Sequence, residues 1–123
     1  MALAATLAVL AAGVHSDGCN SADCVERVAA RWCTQTRVVS CIHRAALRYD
    51  VGYAMLRARA WCESRLLPYA RNAQSGAMGL YQFLPSTWAR TPYARRSPWR
   101  AKWSALAAAW MEHMGRGGEW ACR

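Results

Sequence analysis

The sequence predicts a small, mainly α-helical domain stapled by disulfides, with room for one minor β-hairpin. Three observations carry that prediction. Apolar residues recur at helical spacing in successive stretches, each closed by a glycine, a proline or a polar turn. Six cysteines, at 19, 24, 33, 41, 62 and 122, fall in a chain of 123 residues; an even number in so short a chain implies a disulfide framework and an oxidising compartment. Seven Trp and five Tyr stand against a single Phe, and such amphipathic rings suit a core that also forms a groove. This length allows one core and no second one.

The elements follow in order. Residues Ala2 to Val14 are small and apolar, ahead of His15, Ser16 and Asp17, and 1–16 reads as a signal peptide or apolar N-terminal segment. That segment has no Lys or Arg before the apolar run, which a late start codon or an export route through phage lysis or virion assembly accounts for; thirteen residues are too few to span a bilayer. An N-terminal disulfide-rich helical extension occupies 17–40, and the main domain 41–123. Within the extension, Asp23 and Glu26 form a capping box ahead of Val25, Val28, Ala29 and Trp32, and Cys33 closes the helix. Val38, Cys41, Ile42, Ala45 and Tyr49 line one face of a second helix. Asp50 and Gly52 bracket a stop and restart. A third helix carries Met55, Leu56, Ala60 and Glu63, with Leu56, Ala60 and Glu63 on one side. Ser75, Gly76, Ala77 and Gly79 make a small-residue turn that lets backbone come close to something. Leu80 to Phe83 follow as a short helical or extended segment, Pro85 and Ser86 open a helix through Trp88, and Tyr93 to Pro98 are loop. Trp103, Leu106, Ala107, Trp110 and Met114 form the clearest helical stripe, ended by Gly115 to Gly118.

Sixteen Lys and Arg against seven acids give a formal charge of +9, which steers the protein towards anionic partners. Without a long single-sign block or a nucleic-acid motif, the charge reads as adhesion to an anionic surface such as cell-wall polymers, set against a merely solubilising face, and no nucleic acid is expected as a partner. A monomer is expected. The cysteines lack CxxC pairs, and His43 and His113 have no ligand spacing to any of them; neither metal nor cofactor is expected.

Glu63 stands out. It is a lone carboxylate among Ala60, Trp61 and Cys62 in a chain poor in acids. Burial and the C-terminal end of a helix dipole both disfavour its anion, while the neighbouring Arg65 lowers its pKa unless that side chain points outward. An acid held protonated near neutrality can hand a proton to a leaving sugar oxygen, so Glu63 points to glycosidic bond cleavage. Against this stands a plain buried ion pair of Glu63 with Arg57 or Arg59.

The run ESRLLPYARNAQSGAMGLYQFLPSTW, with TPY, AAAWM and GRGGEWAC after it, resembles the lytic transglycosylase-like and goose-type lysozyme superfamily. It is most similar to the compact actinobacterial and phage subgroup related to resuscitation-promoting factors. The resemblance covers Cys41 to Cys122 and rests on a Glu-Ser pair joined at fixed spacing to Gly-x-x-Gly-Leu-x-Gln. It implies a small lysozyme-like domain with Glu63 as catalytic acid, Ser64 orienting the site and Gln82 beside the substrate. Ser75, Gly76 and Gly79 would shape a turn against the sugar, with Tyr81, Tyr93 and Trp110 in the groove. Ser64 also reads as a simple polar helix end, and Gln82 as a satisfied core amide. The resemblance implies a Cys62–Cys122 bridge; Cys19, Cys24, Cys33 and Cys41 would make two more, with three pairings open. Ser104 stands where most relatives carry Asn, and Trp110 near a position where wider relatives place Tyr.

Most glycosidases need two carboxylates, and no partner for Glu63 is evident: Asp50 sits on the turn before the third helix, and Glu112 and Glu119 look solvated. The family resolves this by substrate assistance on peptidoglycan, with the 6-hydroxyl of N-acetylmuramic acid attacking its own anomeric carbon to give a 1,6-anhydro product. A hydrolytic muramidase, a non-catalytic wall-binding protein and a basic membrane-active protein are the alternatives. The expected location is secreted or in the cell wall, in a bacterial or phage lysis or virion setting.

Overall fold

The structure, a computed structural model, describes residues 21–122 apart from the side chains of Asp23 and Glu26. The expected signal segment and Cys19 therefore lie outside the described residues. Among the described residues five α-helices form: α1 (Ala22–Ala30), α2 (Val38–Tyr49), α3 (Tyr53–Ser64), α4 (Pro85–Trp88) and α5 (Ala101–His113), followed by a 3-10 turn over Gly117–Glu119. No strand forms among the described residues. The expected hairpin reduces to isolated antiparallel bridges, Arg71 with Met78 and Met78 with Phe83.

Helix α1 starts earlier than the Asp23 capping box predicts. Ser21 is its N-cap, its side chain accepting from the Cys24 N–H at 3.3 Å, which satisfies one of the free donors of the first turn. The buried face also differs: Val28 and Ala30 are buried, whereas Val25 and Trp32 are exposed, with the Arg37 guanidinium over the Trp32 ring. Cys33 lies past the helix and bonds to Cys41 in the first turns of α2; Cys24 is disulfide-bonded as well.

Helix α2 follows the sequence pattern, burying Cys41, Ile42, Ala45 and Ala46. It ends at Asp50 in the left-handed region (φ 52°), a conformation that short polar side chains tolerate. Gly52 precedes Tyr53, where α3 begins. That helix ends at Ser64, ahead of Pro68, in two successive left-handed residues, Arg65 (φ 58°) and Leu66 (φ 62°). Their N–H groups return to the carbonyls of Trp61 and Ala60, satisfying the orphaned acceptors of the last turn.

Helix α5 is the core. Ala101, Ser104, Ala105, Leu106, Ala107, Ala108, Ala109 and Met111 are all buried, and α2 packs along it most extensively. This departs from the expected stripe: Trp103 and Trp110 are half-buried and Met114 is exposed. Alanines let neighbouring helices approach closely, so small side chains fill the centre and the indoles sit at its edges. The first N–H of α5, on Ala101, donates to Gln35 Oε1 at 2.8 Å, and Gln35 Nε2 donates to the Trp99 carbonyl at 2.7 Å. A residue of the N-terminal extension thus caps the central helix. Among the described residues, no helix is long and apolar enough to cross a membrane.

Candidate active site

Glu63 lies in the last turn of α3, half-buried. Its Oε1 accepts from the backbone N–H of Cys122 at 3.3 Å. The Cys62–Cys122 disulfide brings that N–H there, tying the C-terminal segment to the residue next to the acid across 60 positions of sequence. Burial raises the Glu63 pKa above its ordinary value; the Cys122 N–H and, more weakly, the Arg59 charge pull the other way. Arg65 takes no part, since it turns back over the Trp61 ring, 5.1 Å from its centroid.

The Glu63–arginine ion pair weighed above does not form. Arg59, buried, pairs with Glu112 at 2.7 Å, donates to the Cys122 carbonyl and lies over the Trp120 ring. Glu112 is accordingly a part-buried ion-pair member rather than a solvated acid. It leaves no room at Gly117, where a Cβ would stand 2.0 Å from its Oε2. Glu119 is an exposed partner of Arg116, and Asp50 caps α2. Of the described carboxylates, Glu112 and Glu119 are held in ion pairs, whereas that of Asp50 is exposed at the end of α2, whose cap it provides through its backbone.

Ser64 is buried and central to local architecture. Its hydroxyl donates to the Leu80 carbonyl at 2.7 Å, lies 3.1 Å from the Ala60 carbonyl, and accepts from the Leu67 N–H. It joins the end of the acid-bearing helix to the loop 65–84. Gln82 (φ 51°) pins that loop from within, its Nε2 donating to the carbonyls of Ala70 and Gly79, each at 2.9 Å. Ser75 is exposed and accepts from the Ala77 N–H, closing the turn that holds Gly76. At Gly79 (φ 78°) the close approach is to the chain itself: a Cβ would lie 2.3 Å from the Pro98 carbonyl oxygen.

Tyr81, expected in the groove, is instead fully buried. Its hydroxyl donates to the Leu56 carbonyl at 2.8 Å and its own carbonyl accepts from the Trp120 indole. Burial raises its pKa far above the usual phenol range. The alternation of the GLYQF run is broken by the left-handed Gln82, so neighbouring side chains do not face as a regular strand would place them. Tyr93 is half-buried, hydrogen-bonded through its hydroxyl to that of Tyr49, and its pKa is raised by burial and by that bond. Together with Trp103 it lines two adjoining concavities of about 540 and 600 Å³, neither of which Glu63 lines. Trp110 is half-buried under the Arg116 guanidinium. Ser104 is fully buried, and its hydroxyl has no hydrogen-bond partner among the described residues.

Sequence reasoning missed Cys122 as a backbone donor and Trp120 as the platform between Arg59 and Tyr81. The Cys62 position, one residue before the acid, was the available signal for the first. Among the described residues, no three side chains of the His, Cys, Asp and Glu types gather as metal ligands would.

Fold and site together define a small, mainly helical, disulfide-containing domain with a half-buried carboxylate, outside any ion pair, at a helix end. Residues 40–114 match the model of the Transglycosylase SLT domain, more than half of the chain, and the chain belongs to that family. Membership supports an enzymatic activity directed at peptidoglycan. Neither the curated proteins nor the solved structures contain a match to the chain.

Proposed function

We propose that the protein is a lytic transglycosylase that cleaves the β-1,4 bond between N-acetylmuramic acid and N-acetylglucosamine, with Glu63 as its single catalytic group. The observation that carries this reading is the isolation of Glu63 among the described carboxylates: Glu112 is held by Arg59 and Glu119 by Arg116, while Asp50 stands exposed on the turn before α3. A glycosidase with one free carboxylate needs its nucleophile from the substrate. Glu63, whose pKa burial raises, gives its proton to the glycosidic oxygen as the C1–O bond breaks. The resulting carboxylate takes the proton of the muramic 6-hydroxyl as O6 bonds to C1. The acid is thereby regenerated, no water is consumed, and the attack gains from being intramolecular.

Ser64 and Gln82 serve as positioning residues, the first holding the helix end against Leu80 and the second holding the loop. The Gln82 amide oxygen is left to accept from a sugar hydroxyl or N-acetyl group, and Ser75 and Gly76 form the rim. The disulfides suit a protein that works outside the reducing cytosol, where the wall is.

The test is Glu63→Gln on purified wall. Cleavage is expected to fall by about a thousandfold or more, as for loss of the group that transfers the proton, while wall binding persists. Fragments from the parent protein should end in anhydro sugars, one water lighter than reducing ends by mass spectrometry. Reducing ends would make it a muramidase. Unchanged lysis by the glutamine variant would end the proposal.

A further inference from the structure

The two concavities that meet at Tyr93 and Trp103 lie outside the site just described, and their lining is one-signed. Arg44, Arg48 and Lys102 surround the first, over a floor of Leu47 and Leu106; Arg95 and Arg96 continue the second. No acidic side chain lines either concavity. None of these five cations forms an ion pair with a described acid, the two such pairs being Arg59–Glu112 and Arg116–Glu119. Two of the charges are held against an aromatic face. Lys102 Nζ and the Arg96 guanidinium lie over the Trp103 ring, 4.5 and 4.7 Å from its centroid, and Tyr93 is fixed by Tyr49. One wall is Ala30 of α1, which lies outside the span that matches the family. The trough is thus built in part by the N-terminal extension of this chain.

Unpaired cations gathered around adjoining concavities attract a chain carrying repeated anions, and arginine forks match phosphate oxygens well. Two cations over Trp103 mean that the ring offers positive charge to an incoming chain. A nucleic acid strand would want bare ring faces for its bases. A polymer whose units are sugars or polyols joined by phosphodiesters asks only for cations and a partly apolar floor.

We propose that this trough binds a phosphodiester-linked glycopolymer of the cell wall and holds the protein beside the glycan strands. The proposal rests on the wall-directed reading above, and its test separates the two. Full-length protein carrying Glu63→Gln is sedimented with walls bearing their phosphodiester polymers and with the same walls stripped of them by hydrofluoric acid. Binding to intact walls is expected to be about tenfold tighter or more, and to weaken steeply with salt. Adding Arg44→Glu, Arg95→Glu and Lys102→Glu should abolish the difference, whereas Arg44→Lys with Arg95→Lys should keep it. Should the triple variant not fold, Arg44→Ser alone is expected to cost about threefold on intact walls only. With Glu63 restored, the triple variant should cut stripped glycan at the parent rate, so loss of anchoring and absence of cleavage are read separately. Equal binding to both walls would overturn the proposal. So would a difference that survives charge reversal, or binding of a single-stranded oligonucleotide or anionic lipid vesicles as tight as that of the glycopolymer.

Discussion

At the scale of single residues, the proposed role of Glu63 ties its protonation to stability. Because burial raises its pKa in the folded protein above the ordinary 4.5, the folded state holds this proton more tightly than the unfolded chain does. As pH rises past 4.5 the unfolded chain releases its proton first, so the stability contributed by the protonated acid is complete below that point and is lost on the way to the folded pKa. Glu63→Gln cannot ionise. Its melting temperature relative to the parent should therefore climb between acid and neutral pH, and parallel melting curves would contradict a raised pKa. The glycines separate just as cleanly. Gly79→Ala should cost about 2–4 kcal/mol, because a left-handed alanine is disfavoured and the Pro98 carbonyl must also move. Gly76→Ala, whose nearest neighbour would be Pro85 Cδ at 4.0 Å, should cost only about 1 kcal/mol. Urea unfolding of the two variants measures both.

At the scale of elements, the acid-bearing helix is positioned by its ends. Ser64 anchors its C-terminus to the loop at Leu80, and Arg59 fixes its face to α5 through Glu112. The central helix depends on a cap from outside the family span. Gln35→Ala strands the Ala101 N–H and the Trp99 carbonyl, a loss of about 1–3 kcal/mol expected in denaturant unfolding. Gln35→Glu keeps the acceptor at the helix N-terminus and should recover part of that loss; no recovery would mean that the cap contributes little. The helices themselves were largely legible. α2 and its break at Asp50 follow from apolar spacing and turn chemistry, because one face meets the core and the other meets water. α5 was legible as a helix but not in its orientation. Its alanines are buried on several sides, which removes the polar face from which periodicity takes its sense of direction.

At the scale of the whole molecule, the Cys62–Cys122 bond brings the C-terminal segment to the candidate site. Replacing both cysteines by serine opens a loop of 60 residues and should cost about 4 kcal/mol on chain-entropy grounds. Opening the Cys33–Cys41 loop, with a separation of 8, should cost about 2–3 kcal/mol. The first change should also free the Cys122 N–H, raise the Glu63 pKa further, and move the pH profile of cleavage towards higher pH. Paired calorimetry and rate–pH curves would show both effects. A profile that stays in place would mean that the bond to Cys122 does not tune the acid.

The sequence by itself determined the helical class, the candidate acid and the residues around which its loop is built, because these depend on local spacing and on residue chemistry that does not change with context. Only the tertiary structure decided what surrounds them. It put Tyr81 in the core, gave Arg59 to Glu112, and gathered five unpaired cations around Trp103. Each of these depends on segments distant in sequence meeting in space, and on the left-handed residues that redirect the chain between them.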